Sequence, residues 1–252
     1  MRSVFLTAVC AICLVACSAS PVKRYGIEVI AEYPHDTESY TQGLFFHGGN
    51  LYESTGLHGK STFRVVDLKT GKALKKIDFS PRYFGEGSVI LGDNVYILTW
   101  DTNVAFVYDA QTLKFKSGWS YPREGWGITT DGKQLIASDG SDRLFFMDEN
   151  FKLQRTVNVT SGGRPVNLLN ELEWIDGKVW ANVYTTDKIV IVDPKNGVVE
   201  AEIDCTGLLP RNLRSPDTDV LNGIAYEKTS GKVFLTGKNW PRLYEVRLVE
   251  KK

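Results

Sequence analysis

Hydrophobic and polar positions along the chain follow short, strand-like patterns. Runs of β-branched and aromatic residues alternate with glycine-containing turns about every ten residues. No segment repeats its apolar positions with a sustained helical period. The pattern therefore predicts an all-β protein.

The same pattern returns five times along the chain. Each copy passes a tight turn containing glycine and then runs into an apolar strand; the first residues of the copies are separated by 44, 40, 44 and 52 positions. The five copies are QGLFFHGGNLYESTG from Gln42, EGSVILGDNVYILTW from Glu86, WGITTDGKQLIASDG from Trp126, NELEWIDGKVWANVY from Asn170 and NGIAYEKTSGKVFLTGK from Asn222. Self-similarity at such a period is typical of repeat architectures.

Each copy continues into further strands. A third strand follows and, in the first four copies, ends at an aspartate that begins a turn, namely Asp67, Asp109, Asp148 and Asp193. An aspartate side chain accepts hydrogen bonds from turn amides, which explains why this residue type recurs there. A fourth strand then closes the copy, and four strands in roughly 40 to 50 residues indicate a propeller blade.

The fifth copy stops after its third strand, RLYEVRL. Its missing outer strand can come from YGIEVIAEYP, residues 25–34, which would pair the two ends of the chain and remove open edges. We therefore expect one domain over residues 25–252, a five-bladed β-propeller closed by an N-terminal strand. A lipocalin-like barrel or a sandwich would explain the strands but not their period.

Equivalent positions in a ring project to the same level, so aligned columns of the five copies should converge on one cavity. The column at the start of each copy is mostly polar, and the columns two residues before it and fourteen residues after it supply aromatic groups. The expected pocket contains Gln42, Glu86, Asn170, Asn222 and Lys238 with Tyr40, Phe84, Trp100, Trp126 and Tyr184. A polar, aromatic-walled cavity is typical of a small-molecule site. Alternatively, these side chains plug the channel and hydrogen-bond each other.

Glu86 is the one carboxylate in the first column. Next to Phe84, Trp100 and Trp126 its charged form would be poorly solvated, so its pKa should be raised. A carboxyl group brought toward neutrality can accept and return a proton. Glu86 is therefore the candidate catalytic residue.

The N-terminal segment carries a targeting signal. Arg2 precedes an apolar run from Val4 to Val15, which has the length of a signal-peptide core, and Leu14–Cys17 resembles the bacterial lipobox. We expect a lipoprotein signal peptide over residues 1–16, lipid on Cys17 and a tether over residues 17–24. The protein would then be held in the cell envelope, on the periplasmic or outer-membrane side, touching the membrane only through its lipid. An ordinary secretory signal with an incidental cysteine is the alternative.

The amino-acid composition limits which partners and cofactors the protein is expected to bind. The chain has 30 acidic and 30 basic residues, a balance that argues against nucleic-acid binding. Cleavage and lipidation would leave Cys205 as the one free cysteine, so no internal disulfide is expected. The three histidines, His35, His47 and His58, form no ligand-spaced motif and are expected in surface turns. No metal or other cofactor is predicted.

The motifs YTQGL, FGEG, LTW, GWGIT, LNELEW, LNGIA and TGKNWP occur in an order and at spacings that resemble the plant and bacterial glutaminyl-peptide cyclotransferases, also called glutamine cyclotransferases. The resemblance covers nearly all of the mature chain. It implies a metal-independent acyltransferase that converts the N-terminal glutamine of a peptide into pyroglutamate and releases ammonia. We expect the protein to be a monomer.

The resemblance also implies residue roles. Glu86 in FGEG matches the family's catalytic glutamate, and Gln42, Asn170 and Lys238 match its polar binding groups. Phe84, Trp100 and Trp126 match its pocket aromatics. Tyr40 and Tyr184 stand where phenylalanine and tryptophan are expected, which bears on substrate preference.

Two other functions fit the same fold. One is a non-catalytic cell-surface propeller that binds peptides or partner proteins, which would not need a desolvated Glu86. The other is a sugar- or quinone-dependent envelope enzyme. The absence of His and Asp clusters from the ring columns counts against it.

Overall fold

The computed structural model describes residues 21–251, which form an all-β structure with one short 3₁₀ helix at Arg211–Leu213. The predicted signal peptide and the lipidation site Cys17 lie outside the described residues. Within residues 21–251, no helix is long and apolar enough to cross a membrane.

The strands of the first half of the chain are β1 (Lys23–Pro34), β2 (Thr41–His47), β3 (Asn50–Thr55), β4 (Thr62–Val66), β5 (Ala73–Asp78), β6 (Gly85–Leu91), β7 (Asn94–Thr99), β8 (Val104–Asp109), β9 (Phe115–Ser120), β10 (Ile128–Thr130) and β11 (Leu135–Ala137). Those of the second half are β12 (Arg143–Met147), β13 (Leu153–Asn158), β14 (Thr160–Ser161), β15 (Arg164–Pro165), β16 (Leu169–Ile175), β17 (Lys178–Val183), β18 (Lys188–Val192), β19 (Val199–Asp204), β20 (Leu221–Glu227), β21 (Lys232–Gly237) and β22 (Arg242–Glu250).

The strands assemble into small antiparallel sheets in chain order. Three sheets have four strands each, in the orders β2-β3-β4-β5, β6-β7-β8-β9 and β10-β11-β12-β13, and β14 pairs with β15. An eight-stranded sheet has the order β16-β17-β18-β19-β1-β22-β21-β20. Each copy of the sequence pattern thus supplies one group of consecutive strands.

Strand β1 joins the two ends of the described chain. It pairs antiparallel with β22, from Tyr25 opposite Glu250 to Pro34 opposite Arg242, as residues 25–34 were expected to do. It also pairs parallel with β19 through Lys23, Arg24 and Tyr25. The last two residues of the predicted tether therefore belong to the strand, because β19 offers its edge to them.

The first strands of the groups contact one another in the cyclic order β2, β6, β10, β16, β20 and back to β2. Hydrophobic clusters fill the spaces between neighbouring groups; one contains Phe63 and Ile97, and another contains Trp240 and Ile203. Each large apolar side chain buried in this way contributes about 1.5–3 kcal/mol to stability. Cys205, the sole cysteine among the residues described, is buried in the second of these clusters without a disulfide.

The first strands are irregular where they carry the polar column. The register shifts between Thr41 and Gly43 in β2 and between Gly85 and Ser88 in β6. Strands β16 and β20 have the same irregularity between residues 169 and 172 and between residues 221 and 224. Such bulges re-aim side chains, and here they fall on Gln42, Glu86, Asn170 and Asn222.

The first strands approach one another closely, which explains why a glycine follows four of the five residues of the first column, namely Gln42, Glu86, Trp126 and Asn222. A Cβ atom on Gly87 would lie 2.6 Å from the carbonyl oxygen of Trp126 in the next group. A Cβ on Gly127 would overlap the carbonyl of Asn170. Glycine is the one residue that allows backbones to meet at this distance.

Candidate active site

A cavity of about 190 Å³ opens at the ends of the first strands. Its lining residues are Tyr40, Gln42, Phe84, Glu86, Trp100, Trp126, Asn170, Tyr184 and Lys238. The structure therefore brings together all the residues of the expected pocket except Asn222.

Glu86 lies at the buried end of this cavity, with 5% of its surface exposed. Its carboxylate oxygen Oε1 accepts a hydrogen bond of 2.8 Å from Nε2 of Gln42. The Ser54 hydroxyl donates to the backbone carbonyl of Glu86 at 2.6 Å and so fixes the bulged backbone. Burial raises the pKa of Glu86 well above its usual value, the nearby charge of Lys238 lowers it and that of Glu124 raises it.

Gln42 is held in place from the side away from Glu86. Nδ2 of Asn222 donates to Oε1 of Gln42 at 3.3 Å and to the carbonyl of Thr41 at 3.0 Å. Since its Oε1 receives this donor, Gln42 turns its NH₂ group toward Glu86. Asn222 itself is fully buried and lies behind the cavity wall, so it acts on the cavity through Gln42.

Lys238 faces Glu86 from the last group of strands. The side chain is buried, and its Nζ lies 4.5 Å from the ring centre of Tyr40 and 5.0 Å from that of Tyr184. These cation–π contacts favour the charged ammonium. Burial lowers the pKa of Lys238, and the charges of Glu86 and Asp219 oppose that change.

Aromatic rings form most of the cavity wall. The Tyr40 and Phe84 rings meet edge to face with centres 6.2 Å apart, and Phe84 meets Trp100 in the same way at 5.4 Å. Trp126 and Tyr184 form a further edge-to-face pair at 5.5 Å. Gly56 and Gly140 leave room for this wall, because a Cβ on either would collide with the Phe84 or Trp126 ring.

Asn170 contributes an amide to the cavity. Its Oδ1 is buried and has no hydrogen-bond partner within the described part of the chain. Its backbone carbonyl accepts a hydrogen bond of 2.7 Å from the Ser138 hydroxyl, which holds the bulge of β16. A bound ligand that carries an N–H group could satisfy the free Oδ1.

Two carboxylates near the cavity were absent from the expected pocket. Asp219 accepts a hydrogen bond of 2.8 Å from the Tyr40 hydroxyl, and together with burial it raises the pKa of Tyr40. Glu124 accepts hydrogen bonds from the indoles of both Trp100 and Trp126. Glu124 lies two residues before Trp126, in the same column as Tyr40 and Phe84, and this position was the signal that could have identified it.

The expectation that all three histidines lie in surface turns is wrong for His35. Its Nδ1 lies 2.6 Å from the carbonyl oxygen of Trp240, and its Nε2 lies 2.9 Å from Oε1 of Glu53. His35 is buried because these partners join the segment after β1 to the segment after β21. Among residues 21–251, no group of three or more His, Cys, Asp or Glu side chains is arranged to hold a metal ion.

Comparison with known proteins agrees with this geometry. The sequence model of the glutamine cyclotransferase family matches residues 4–248. A glutaminyl-peptide cyclotransferase of Arabidopsis thaliana is 45% identical over 229 residues, which cover 88% of this chain and 71% of the plant protein. The crystal structure of Myxococcus xanthus glutaminyl cyclase superimposes with a TM-score of 0.85 at 36% identity, covering 92% of this chain and 100% of the other. The chain belongs to the glutamine cyclotransferase family.

Proposed function

We propose that the protein is a glutaminyl-peptide cyclotransferase that converts the N-terminal glutamine of a peptide into pyroglutamate and releases ammonia. The observation that carries the proposal is the buried Glu86 carboxyl, with its raised pKa, at the inner end of an aromatic cavity. Family membership and the names of both relatives agree with this reaction.

The cavity suits the glutamine side chain. Its volume of about 190 Å³ takes one side chain with its α-amine rather than a longer segment of peptide. The aromatic walls exclude water and favour the conformer in which the side chain folds back on the amine. Ring closure is intramolecular, so holding this conformer supplies a large part of the rate enhancement.

Glu86 moves the proton. The α-amine nitrogen attacks the γ-carbonyl carbon, and the new C–N bond produces a tetrahedral intermediate with negative charge on oxygen. Glu86 takes a proton from the attacking nitrogen and delivers it to the amide nitrogen. The bond between the γ-carbon and that nitrogen then breaks, and ammonia leaves. A carboxyl with a raised pKa suits both halves of this transfer.

Lys238 is placed to stabilise the negative oxygen. One N–H of Gln42 is already directed at Glu86, whereas the Lys238 ammonium makes no hydrogen bond to another of the described residues and lies over the Tyr40 and Tyr184 rings. A charged donor also stabilises an oxyanion more strongly than a neutral amide does. Asn170, with its free Oδ1, orients the α-amine of the substrate.

The chemistry requires no metal, because the attacking and leaving groups are both nitrogen atoms within one molecule and Glu86 carries the proton between them. The enzyme belongs to the acyltransferase class, since the γ-glutamyl group passes from the side-chain amide nitrogen, which leaves as ammonia, to the α-amine. Treatment with a chelator should therefore leave the rate unchanged.

The architecture that places these groups is a five-bladed β-propeller closed by the N-terminal strand. The cyclic contacts of β2, β6, β10, β16 and β20 support this arrangement. So does β1, which supplies an outer strand next to β22.

The N-terminal sequence supports a cell-envelope location. We infer a signal peptide over residues 1–16, lipid on Cys17 and a bacterial host from the lipobox-like Leu14–Cys17. Metabolic labelling with radioactive palmitate should mark the parent protein and fail to mark a Cys17→Ala variant.

The proposed activity is tested with Gln-terminated dipeptides. Ammonia release and pyroglutamate formation should proceed in equal amounts, at the same rate with and without a chelator. An N-acetylated glutamine peptide, which lacks the attacking amine, is the matched control and should not react. If no peptide with an N-terminal glutamine is turned over, the proposed activity is wrong, and the result favours a non-catalytic propeller that binds peptides or partner proteins.

A further inference from the structure

Trp100 and Trp126 line the cavity from neighbouring groups of strands. Trp100 follows β7 and Trp126 precedes β10; outside the paired strands, one backbone hydrogen bond of 3.0 Å from Gly125 N–H to the Thr99 carbonyl brings their segments together. Each of them meets a different aromatic partner, Phe84 for Trp100 and Tyr184 for Trp126. The aromatic wall is therefore interrupted between the two tryptophans.

The carboxylate of Glu124 lies between the indoles of these two tryptophans. A single carboxylate oxygen, Oε2, accepts the indole N–H of Trp100 at 3.0 Å and that of Trp126 at 3.1 Å. Indole nitrogen can only donate, and a carboxylate is an acceptor that strengthens such hydrogen bonds by its charge. One oxygen shared by two indoles holds the two N–H groups close to each other.

With Glu124 included, the wall closes on itself. Lys238 bridges the other interruption by its contacts with the rings of Tyr184 and Tyr40. Going once around the cavity, each member contacts the next in the order Tyr40, Phe84, Trp100, Glu124, Trp126, Tyr184 and Lys238. One anion and one cation thus complete a ring of five aromatic side chains.

We propose that Glu124 is a positioning residue for the cyclisation reaction: its carboxylate ties the Trp100 and Trp126 indoles together and so keeps one side of the cavity shaped for the glutamine side chain. This inference rests on the proposed function. Glu124 itself is exposed at the mouth and lies outside the cavity lining, so it acts through the two tryptophans.

The charge of Glu124 has a second effect. The charged groups that act on Glu86 are Glu124, which raises its pKa, and Lys238, which lowers it; Asp219 in turn acts on Lys238. Removing the negative charge of Glu124 should lower the pKa of Glu86. The acid limb of the pH–rate profile should then move to lower pH, because Glu86 loses its proton more readily.

Two substitutions separate geometry from charge. Glu124→Gln keeps an oxygen that can accept both indole N–H groups but removes the charge, whereas Glu124→Leu removes both. Glu149→Gln, at an exposed carboxylate in the turn between β12 and β13, is the matched control. We expect Glu124→Leu to raise KM about 3- to 10-fold, as for loss of an exposed hydrogen bond to a charged group. Glu124→Gln should keep KM near the parent value but shift the acid limb to lower pH.

A second readout does not depend on activity. In protein labelled with ¹⁵N-tryptophan, the indole N–H signals of Trp100 and Trp126 should move and exchange faster with solvent in Glu124→Leu, and stay close to the parent in Glu124→Gln. Unchanged indole signals and unchanged KM in Glu124→Leu would overturn the proposal. If the parent turned over no N-terminal glutamine peptide, the proposed function would fail, while the indole signals would still show whether Glu124 ties the two rings.

Discussion

Gln42 and Glu86 come from the first strands of neighbouring groups, and Nε2 of Gln42 donates to Oε1 of Glu86 at 2.8 Å. Both side chains sit at bulges of their strands and line the same cavity. This hydrogen bond orients the Glu86 carboxyl and leaves its other oxygen free for a substrate. The position of the reacting carboxyl thus depends on how Gln42 is held.

The orientation of Gln42 depends in turn on Asn222. Replacing Asn222 with alanine should lower kcat about 10-fold, because Gln42 loses the donor that turns its NH₂ group toward Glu86, and should reduce stability by about 1–3 kcal/mol, since buried acceptors lose their partner. The comparison is made by kinetics with a Gln-terminated dipeptide and by urea unfolding.

Asn182→Ala is the control for this prediction. Asn182 is also fully buried, and its Oδ1 accepts a hydrogen bond from the backbone N–H of Gly223. It does not line the cavity, so its loss should reduce stability with a smaller effect on kcat. Equal losses of kcat in the two variants would show that Asn222 has only a structural role.

Lys238 should affect both the rate and its pH dependence. In Lys238→Met the positive charge that lowers the pKa of Glu86 is gone, so that pKa should rise and the acid limb of kcat/KM should move to higher pH. This is the opposite of the shift expected for Glu124→Gln. The substrate amine titrates identically with parent and variant, so its contribution cancels in the comparison.

The maximal rate of Lys238→Met should also fall by about 10²-fold or more, as when one oxyanion donor is removed. Lys188→Met, at an exposed lysine that pairs with Glu202, should change neither quantity. An acid limb that stays in place in Lys238→Met would contradict the electrostatic coupling of Lys238 to Glu86.

Stability should depend on the protonation of His35. Both ring nitrogens face acceptors, the Trp240 carbonyl and the Glu53 carboxylate, so the folded state favours the doubly protonated imidazolium. Burial lowers the pKa of His35, but the charge and hydrogen bond of Glu53 together with the Trp240 carbonyl outweigh burial, and the net pKa is raised above 6.5 in spite of the nearby Arg64. Arg64 in turn pairs with Glu53 and Asp36.

Because the pKa of His35 is raised in the folded protein, its contribution to the free energy of unfolding is complete below pH 6.5. This contribution is lost as the pH rises through the pKa of the folded protein. The free energy of unfolding should therefore fall on the alkaline side, and this dependence should be weaker in His35→Gln. Urea unfolding between about pH 6 and 9 measures it. His47→Gln, at the exposed end of β2, should keep the parent slope. An unchanged slope in His35→Gln would refute the imidazolium assignment.

The sequence pattern was sufficient to predict residues that repeat in register. Glu86, Trp100 and Lys238 occupy aligned columns, and their columns do converge on one cavity. The same alignment placed Asn222 in the cavity wall. The glycine that follows it, Gly223, has a positive φ of 124°, and the Asn222 amide donates to Gln42 behind the cavity wall.

Other features depend on contacts that no local pattern contains. The column of Tyr40 and Phe84 places Glu124 near the cavity, but no local pattern shows that the indole of Trp100, 24 positions earlier, donates to it. His35 has a partner 205 positions away, which becomes adjacent only when β1 joins the last strands. Such pairings depend on how separate segments meet in the fold, so the sequence of one segment cannot reveal them.

In the proposed reaction Glu86 carries the proton between the two nitrogen atoms during cyclisation. The most direct test of this role is kcat of Glu86→Gln at saturating dipeptide. The amide is nearly isosteric and still accepts the Gln42 hydrogen bond, so the variant should fold with unchanged or higher stability, since a neutral group costs less to bury. The proposed mechanism predicts that kcat falls about 10²- to 10⁴-fold, the usual contribution of a general acid–base group. A kcat equal to that of the parent, in a variant with the parent's melting temperature, would contradict it.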